Sequence, residues 1–183
     1  SRELGVSLES AQWLLTVTLL VGSVATPIGG RLADGSRRKW VVLGALAIVC
    51  LGSAISATVP SFSFFLLGRG MQGVGLAIVP MAIAIARDTM PRQRAREGIA
   101  VLSVTTAIGT GLGYPITGLL GERFGYQVPY VMAAAMSLIA VALLWKTVPV
   151  AAVGRSGHLD LPGAVLLSAA LVCLLLAISQ GRG

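Results

Sequence analysis

Charge is nearly absent from six long stretches of this chain, at 11–31, 40–59, 62–86, 98–120, 127–147 and 162–180. Arg31 and Lys146 sit at stretch ends, and Arg69 is the exception inside one. About 20 apolar residues at 1.5 Å rise cross roughly 30 Å of hydrocarbon. Every backbone N–H and C=O must be bonded within such a segment, because the bilayer core offers no water, so the segments are helical. The expected fold is therefore all-α: a polytopic membrane protein with six transmembrane helices. Only 11% of the residues are charged, against about 25% in soluble domains. Small residues are abundant, with 23 glycines, which suits helices whose backbones approach closely.

The charged residues sort by side. With the 29–39 stretch GGRLADGSRRK on one side, that side holds Arg31, Arg37, Arg38, Lys39, Arg87, Arg92, Arg94, Arg96, Lys146 and Arg155. Its acids are Asp34, Asp88, Glu97 and Asp160. The other side holds Arg2, Arg123 and Arg182 against Glu3, Glu9 and Glu122. Basic residues concentrate in cytoplasmic loops, so the first side is cytoplasmic. The net charge of +7 orients the chain in its bilayer and calls for no nucleic-acid partner. Ser1 then lies outside. A further span is expected before it, and the chain is expected to be a fragment of a longer protein.

Arg69 enters the third span about 10 Å from its outer end. An arginine there costs about 2.5–3.5 kcal/mol, so it faces a cavity or a partner, or its long side chain reaches back to the interface. Gln72 and Gly73 lie three and four residues on, sharing its helical face. A cation, an amide and a gap on one face describe the wall of a polar cavity. The spans hold no Asp, Glu or His, so a membrane protease or acyltransferase lacks its acid or base, and no enzyme activity is expected. Cys50 and Cys173 read as small buried hydrophobes, and His158 stands alone, so no metal or other cofactor is expected. Trp13 and Trp40 sit at span ends, where indoles anchor to the interface.

Three motifs in register carry a family likeness. GRLADGSRRK resembles the loop between helices two and three of the major facilitator superfamily. RGMQG resembles that family's helix-four motif. GTGLGYPITG resembles its glycine-proline antiporter motif on helix five. ELGVSLESAQWLLT and HLDLPGAVLLSAALVCLLLAISQG are similar to the 14-span drug:proton antiporters of the superfamily. The resemblance implies that residues 1–147 form the amino-terminal bundle without its first helix. Residues 148–160 would be a cytoplasmic linker, and 161–183 the first of two extra helices joining the halves.

The same resemblance implies roles. Gly30 would allow close approach of a neighbouring helix, Asp34 would dock on the opposite half, and Arg38 would pair with that acid, together forming a conformational latch. Arg69, with Gln72 and Gly73, would belong to the proton and substrate pathway, partnered by an acid on helix one. Gly109, Gly113, Pro115 and Gly118 would form the antiporter face; Tyr114 stands where proline is usual. The implied function is proton-coupled efflux of lipophilic or cationic drugs across the cytoplasmic (inner) membrane of a bacterium. Its partners would be a small-molecule substrate, protons, the lipid bilayer and the missing remainder of its own chain. The alternatives are a superfamily carrier of a metabolite, amino acid or sugar, and a non-transporting sensor on the same fold.

Overall fold

A computed structural model describes residues 8–33, 38–59 and 61–147, together with 163, 166, 169, 170, 172 and 173. The helices are α1 (Leu8–Ala33), α2 (Arg38–Thr58), α3 (Phe62–Gly73), α4 (Ile78–Thr89), α5 (Arg92–Phe124) and α6 (Gln127–Thr147). One turn of 3₁₀-helix, Val74–Ala77, joins α3 to α4. Among the described residues, five segments are long and apolar enough to cross a membrane: Gln12–Leu32, Arg38–Thr58, Phe62–Asp88, Arg92–Phe124 and Gln127–Thr147. They coincide with the first five expected spans. The linker at 148–160 and most of the sixth span lie outside the described residues, as does Asp34; the described positions from 163 to 173 are helical.

The 3₁₀ turn inside the third span has a local cause. Pro80 has no N–H to give the Leu76 carbonyl, and its ring crowds that carbonyl. The backbone tightens just before it, and the Ile78 N–H bonds Gly75 O, three residues back.

The polar stretch 87–98, between the expected third and fourth spans, is mostly helix. Helix α4 runs to Thr89 and α5 starts at Arg92. Met90 is extended at φ −107°, ψ 150°, the conformation forced on a residue before proline. The Ala95 N–H then bonds Pro91 O at 2.9 Å and opens α5. At 33 residues, α5 spans about 50 Å, so its basic first turns stand clear of the hydrocarbon. At the other end, GERFGYQ shrinks to a two-residue turn. Gly125, at φ 89°, supplies the left-handed geometry that a side chain would oppose.

Helix α2 packs between α3 and α6, and α1 lies along α3, the 3₁₀ turn and α4. The seams are built from small residues. A side chain at Gly52 would meet the Gly68 carbonyl, and one at Gly68 would meet Ser56 Oγ and the Gly52 carbonyl. Gly22 abuts Leu76, and Gly29 abuts Met81. Val42, Ala45, Ala77 and Met81 form the buried cluster, with Ala25, Ile85 and Leu144 around it. Among the described residues, helix α5 touches only α4 and α6, and Ala95 is its one buried residue.

Candidate functional site

Arg69 heads a chain of polar contacts that runs from α3 into α2. Its Nη1 donates to Gln72 Oε1 at 3.3 Å. Gln72 Nε2 donates to Ser53 Oγ at 3.0 Å, and that hydroxyl donates to Val49 O at 2.8 Å. Ser53 is fully buried. On the other side, Thr18 of α1 shares its hydroxyl proton between Leu14 O at 2.9 Å and Arg69 O at 3.2 Å. Helix α1 thus reaches the Arg69 backbone, and α2 reaches its side chain through Gln72. Its Nε is buried and finds no acceptor among the described residues.

Arg69 forms part of the wall of a cavity of about 460 Å³. Helix α1 contributes Leu15, Thr18 and Leu19, and α5 faces them with Gly109, Thr110, Gly113, Tyr114 and Thr117. The lining is mostly apolar with a few hydroxyls, and it holds no carboxylate among the described residues. Arg69 and two glycines of the antiporter-like motif, Gly109 and Gly113, therefore share one space, though α3 and α5 make no close helix contact among the described residues. Pro115 and Gly118 lie on α5 but do not line the cavity.

Gly73 has a different place. It is buried, and a side chain there would strike the Thr18 carbonyl and Val21 of α1. It lets α1 and the third span close together instead of opening a gap beside Arg69.

At the basic end, Arg38 Nη2 meets Asp88 Oδ2 at 2.8 Å, tying the start of α2 to the end of α4. Asp34 is outside the described residues. Around Gly30 no described atom comes within 4 Å of an added side chain; the glycine in contact is Gly29. Next to Arg38, Lys39 Nζ donates to Trp145 O at 2.9 Å and lies 5.5 Å from the Trp145 ring. Trp40 packs edge-on against the same ring at 5.4 Å.

Thr18, Ser53, Tyr114 and Asp88 escaped the sequence reading as site residues. For the first two, the available signal was a hydroxyl in an otherwise apolar run. For Asp88, it was an acid among arginines.

The profile of the Major Facilitator Superfamily matches residues 1–181. The chain belongs to this superfamily. Among its curated relatives is an uncharacterized MFS-type transporter of Mycobacterium tuberculosis, 30% identical over 98% of this chain and 26% of that protein. The dehydrocurvularin exporter of Alternaria cinerariae is 28% identical over 95% of this chain and 32% of its own length. Multidrug resistance protein Stp of Mycobacterium tuberculosis is 27% identical over 98% of this chain and 34% of its own length. The chain thus spans about a quarter to a third of these relatives. As a superfamily member it is a multi-pass membrane protein of a transporter family, and the described bundle is part of the superfamily's polytopic helical fold.

Proposed function

We propose that this chain is the amino-terminal part of an exporter that moves lipophilic compounds out of the cell in exchange for protons. The carrying observation is the position of Arg69. It is held by Gln72 and Thr18 and forms part of a largely apolar cavity, with a buried N–H and no carboxylate nearby among the described residues. A charge so placed seeks a counter-charge, because an unpaired cation at membrane depth is costly. An acid from the rest of the protein would satisfy it, and protonation of that acid would release it. Alternating access requires two bundles moving around a midplane site, so coupling lies between this bundle and its partner. Relatives named as an exporter and as a multidrug resistance protein support the direction of transport.

A wall carrying an arginine and no described carboxylate favours neutral and acidic lipophilic compounds. Cationic drugs would need an acid from the other half. The same feature favours a second reading, a carrier of a small carboxylate metabolite, in which Arg69 binds the substrate directly. At the basic end, Gly30, Asp34 and Arg38 would act with Asp88 as the latch that breaks and re-forms between states. Gly109, Gly113, Pro115 and Gly118 would seal α5 against the opposite half. Residues 148–160 would be a cytoplasmic linker, and 161–183 the first of two joining helices in a 14-span protein of a bacterial inner membrane.

The test is flux. The full-length protein in proteoliposomes, loaded with a lipophilic dye, should export it when a pH gradient is imposed. A protonophore should stop it. Export indifferent to the gradient would refute proton coupling. Uptake of a carboxylate metabolite, with no dye movement, would favour the second reading.

A further inference from the structure

The basic end of the bundle holds a second cavity, of about 540 Å³, at the junction of α4 and α5. It is lined by Arg87, Arg92, Ala95, Arg96, Ile99 and Ala100. Three arginines therefore line one space that has no acid in its lining among the described residues. The two nearest acids in sequence are engaged elsewhere. Asp88 pairs with Arg38, and Glu97 accepts a hydrogen bond from Gln93 at 3.3 Å. The three arginines are exposed, while Ala95 at the cavity's base is 6% exposed.

The cavity has a polarity gradient along α5. Arg92 and Arg96 are one turn apart on the same face, and Ile99 and Ala100 continue that face into the span. From Arg92 to Ile99 is about 10 Å along the helix axis. Arg87, near the end of α4, stands across the turn from Arg92 and lines the same cavity. Cation above and hydrocarbon below is the reverse image of an anionic phospholipid, whose phosphate sits at the interface and whose acyl chain descends from it. The charge bias puts this end in the cytoplasm, where the leaflet carries anionic lipids and juxtamembrane arginines attract them.

We propose that the Arg87–Arg92–Arg96 cavity binds the headgroup of one anionic phospholipid, with the upper acyl chain against Ile99 and Ala100. Arginine suits the role because its planar fork bonds two phosphate oxygens at once. A lipid seated there would bridge α4 and α5, a helix that otherwise makes few contacts with the described bundle.

The experiment titrates short-chain phosphatidylglycerol into the full-length protein in detergent and counts bound lipid by native mass spectrometry. Short-chain phosphatidylcholine and inorganic phosphate serve as the other probes. The proposal expects saturable phosphatidylglycerol binding. It expects roughly 30-fold weaker binding in the Arg92→Gln/Arg96→Gln variant, from about one charge's attraction lost at each position. The Arg92→Lys/Arg96→Lys variant should retain most of the affinity. An unchanged melting temperature in phosphatidylcholine would show that the glutamine variant is folded; were it to misfold, Arg87→Gln alone should still weaken binding several-fold. Equal binding by the arginine-to-glutamine variants, or equal affinity for phosphatidylcholine, would overturn the site. Competition by inorganic phosphate at concentrations comparable to the lipid would overturn the lipid assignment in favour of a soluble anion.

Discussion

Arg38 and Asp88 stand 50 residues apart in sequence and 2.8 Å apart in space. The pair fastens the start of α2 to the end of the third span at the basic face of the bundle. The Asp88 side chain is 53% exposed and that of Arg38 14%, so solvent screens the pair through its carboxylate and it contributes on the order of 1 kcal/mol. The contact is too weak to hold the fold and well suited to a step that must open and close.

Removing it should therefore affect rate more than stability. Asp88→Asn should leave the melting temperature of the full-length protein within a few degrees and slow transport several-fold. The exchange Arg38→Asp/Asp88→Arg should recover part of the loss. A large fall in melting temperature with unchanged transport per folded molecule would assign the pair to stability instead.

The α2–α3 seam should behave in the opposite way. A valine at Gly68 would drive its side chain into Ser56 and the Gly52 carbonyl, both on a packed helix. Overpacking of this kind costs about 1–3 kcal/mol. Gly68→Val should lower the melting temperature clearly and reduce membrane yield. A variant as stable as the parent would mean that the two helices can separate at no cost.

Gly30, Gly109 and Gly113 have open space where a side chain would go. Within the described bundle, alanine at any of them should cost nothing; in α5 it should even favour the helix, by up to about 1 kcal/mol each. A loss of transport on Gly109→Ala or Gly113→Ala with normal folding would locate a close approach by the rest of the protein. Normal transport would remove these glycines from the sealing face.

The Gln72–Ser53 link should matter through Arg69. Ser53→Ala leaves Gln72 Nε2 without its acceptor inside the bundle, a loss of about 1 kcal/mol for a part-buried donor. Transport should fall about tenfold while the protein still inserts and folds. Retention of full transport in Ser53→Ala, measured in the same vesicles, would show that Arg69 needs no support from α2.

Much of this was legible in the sequence because the bilayer imposes a simple rule. Helices of about 20 apolar residues with charges at their ends announce themselves, and the five described spans fall where hydropathy puts them. The Arg69–Gln72 contact follows from i, i+3 spacing on one helix. Ser53 did not, because the register of α2 against α3 is set by Gly52, Ser56 and Gly68 together. No local pattern encodes that fit. The pairing of Asp88 with Arg38 was hidden for the same reason, and Gly73 was read as a gap because its neighbour, Thr18, lies on another helix. Residues 92–97 fall outside the expected fourth span because they are charged, yet they are helical. Arginine and glutamate are good helix formers, and a helix can carry them once it has left the hydrocarbon.

The central claim is that Arg69 couples proton entry to export. The most direct test compares pH-gradient-driven efflux by the full-length protein with that of its Arg69→Ala and Arg69→Lys variants, at matched levels of folded protein in proteoliposomes. The account predicts that Arg69→Ala loses gradient-driven efflux altogether and that Arg69→Lys, which keeps the charge without the fork, retains a fraction of it. Undiminished, gradient-dependent efflux by Arg69→Ala would contradict it.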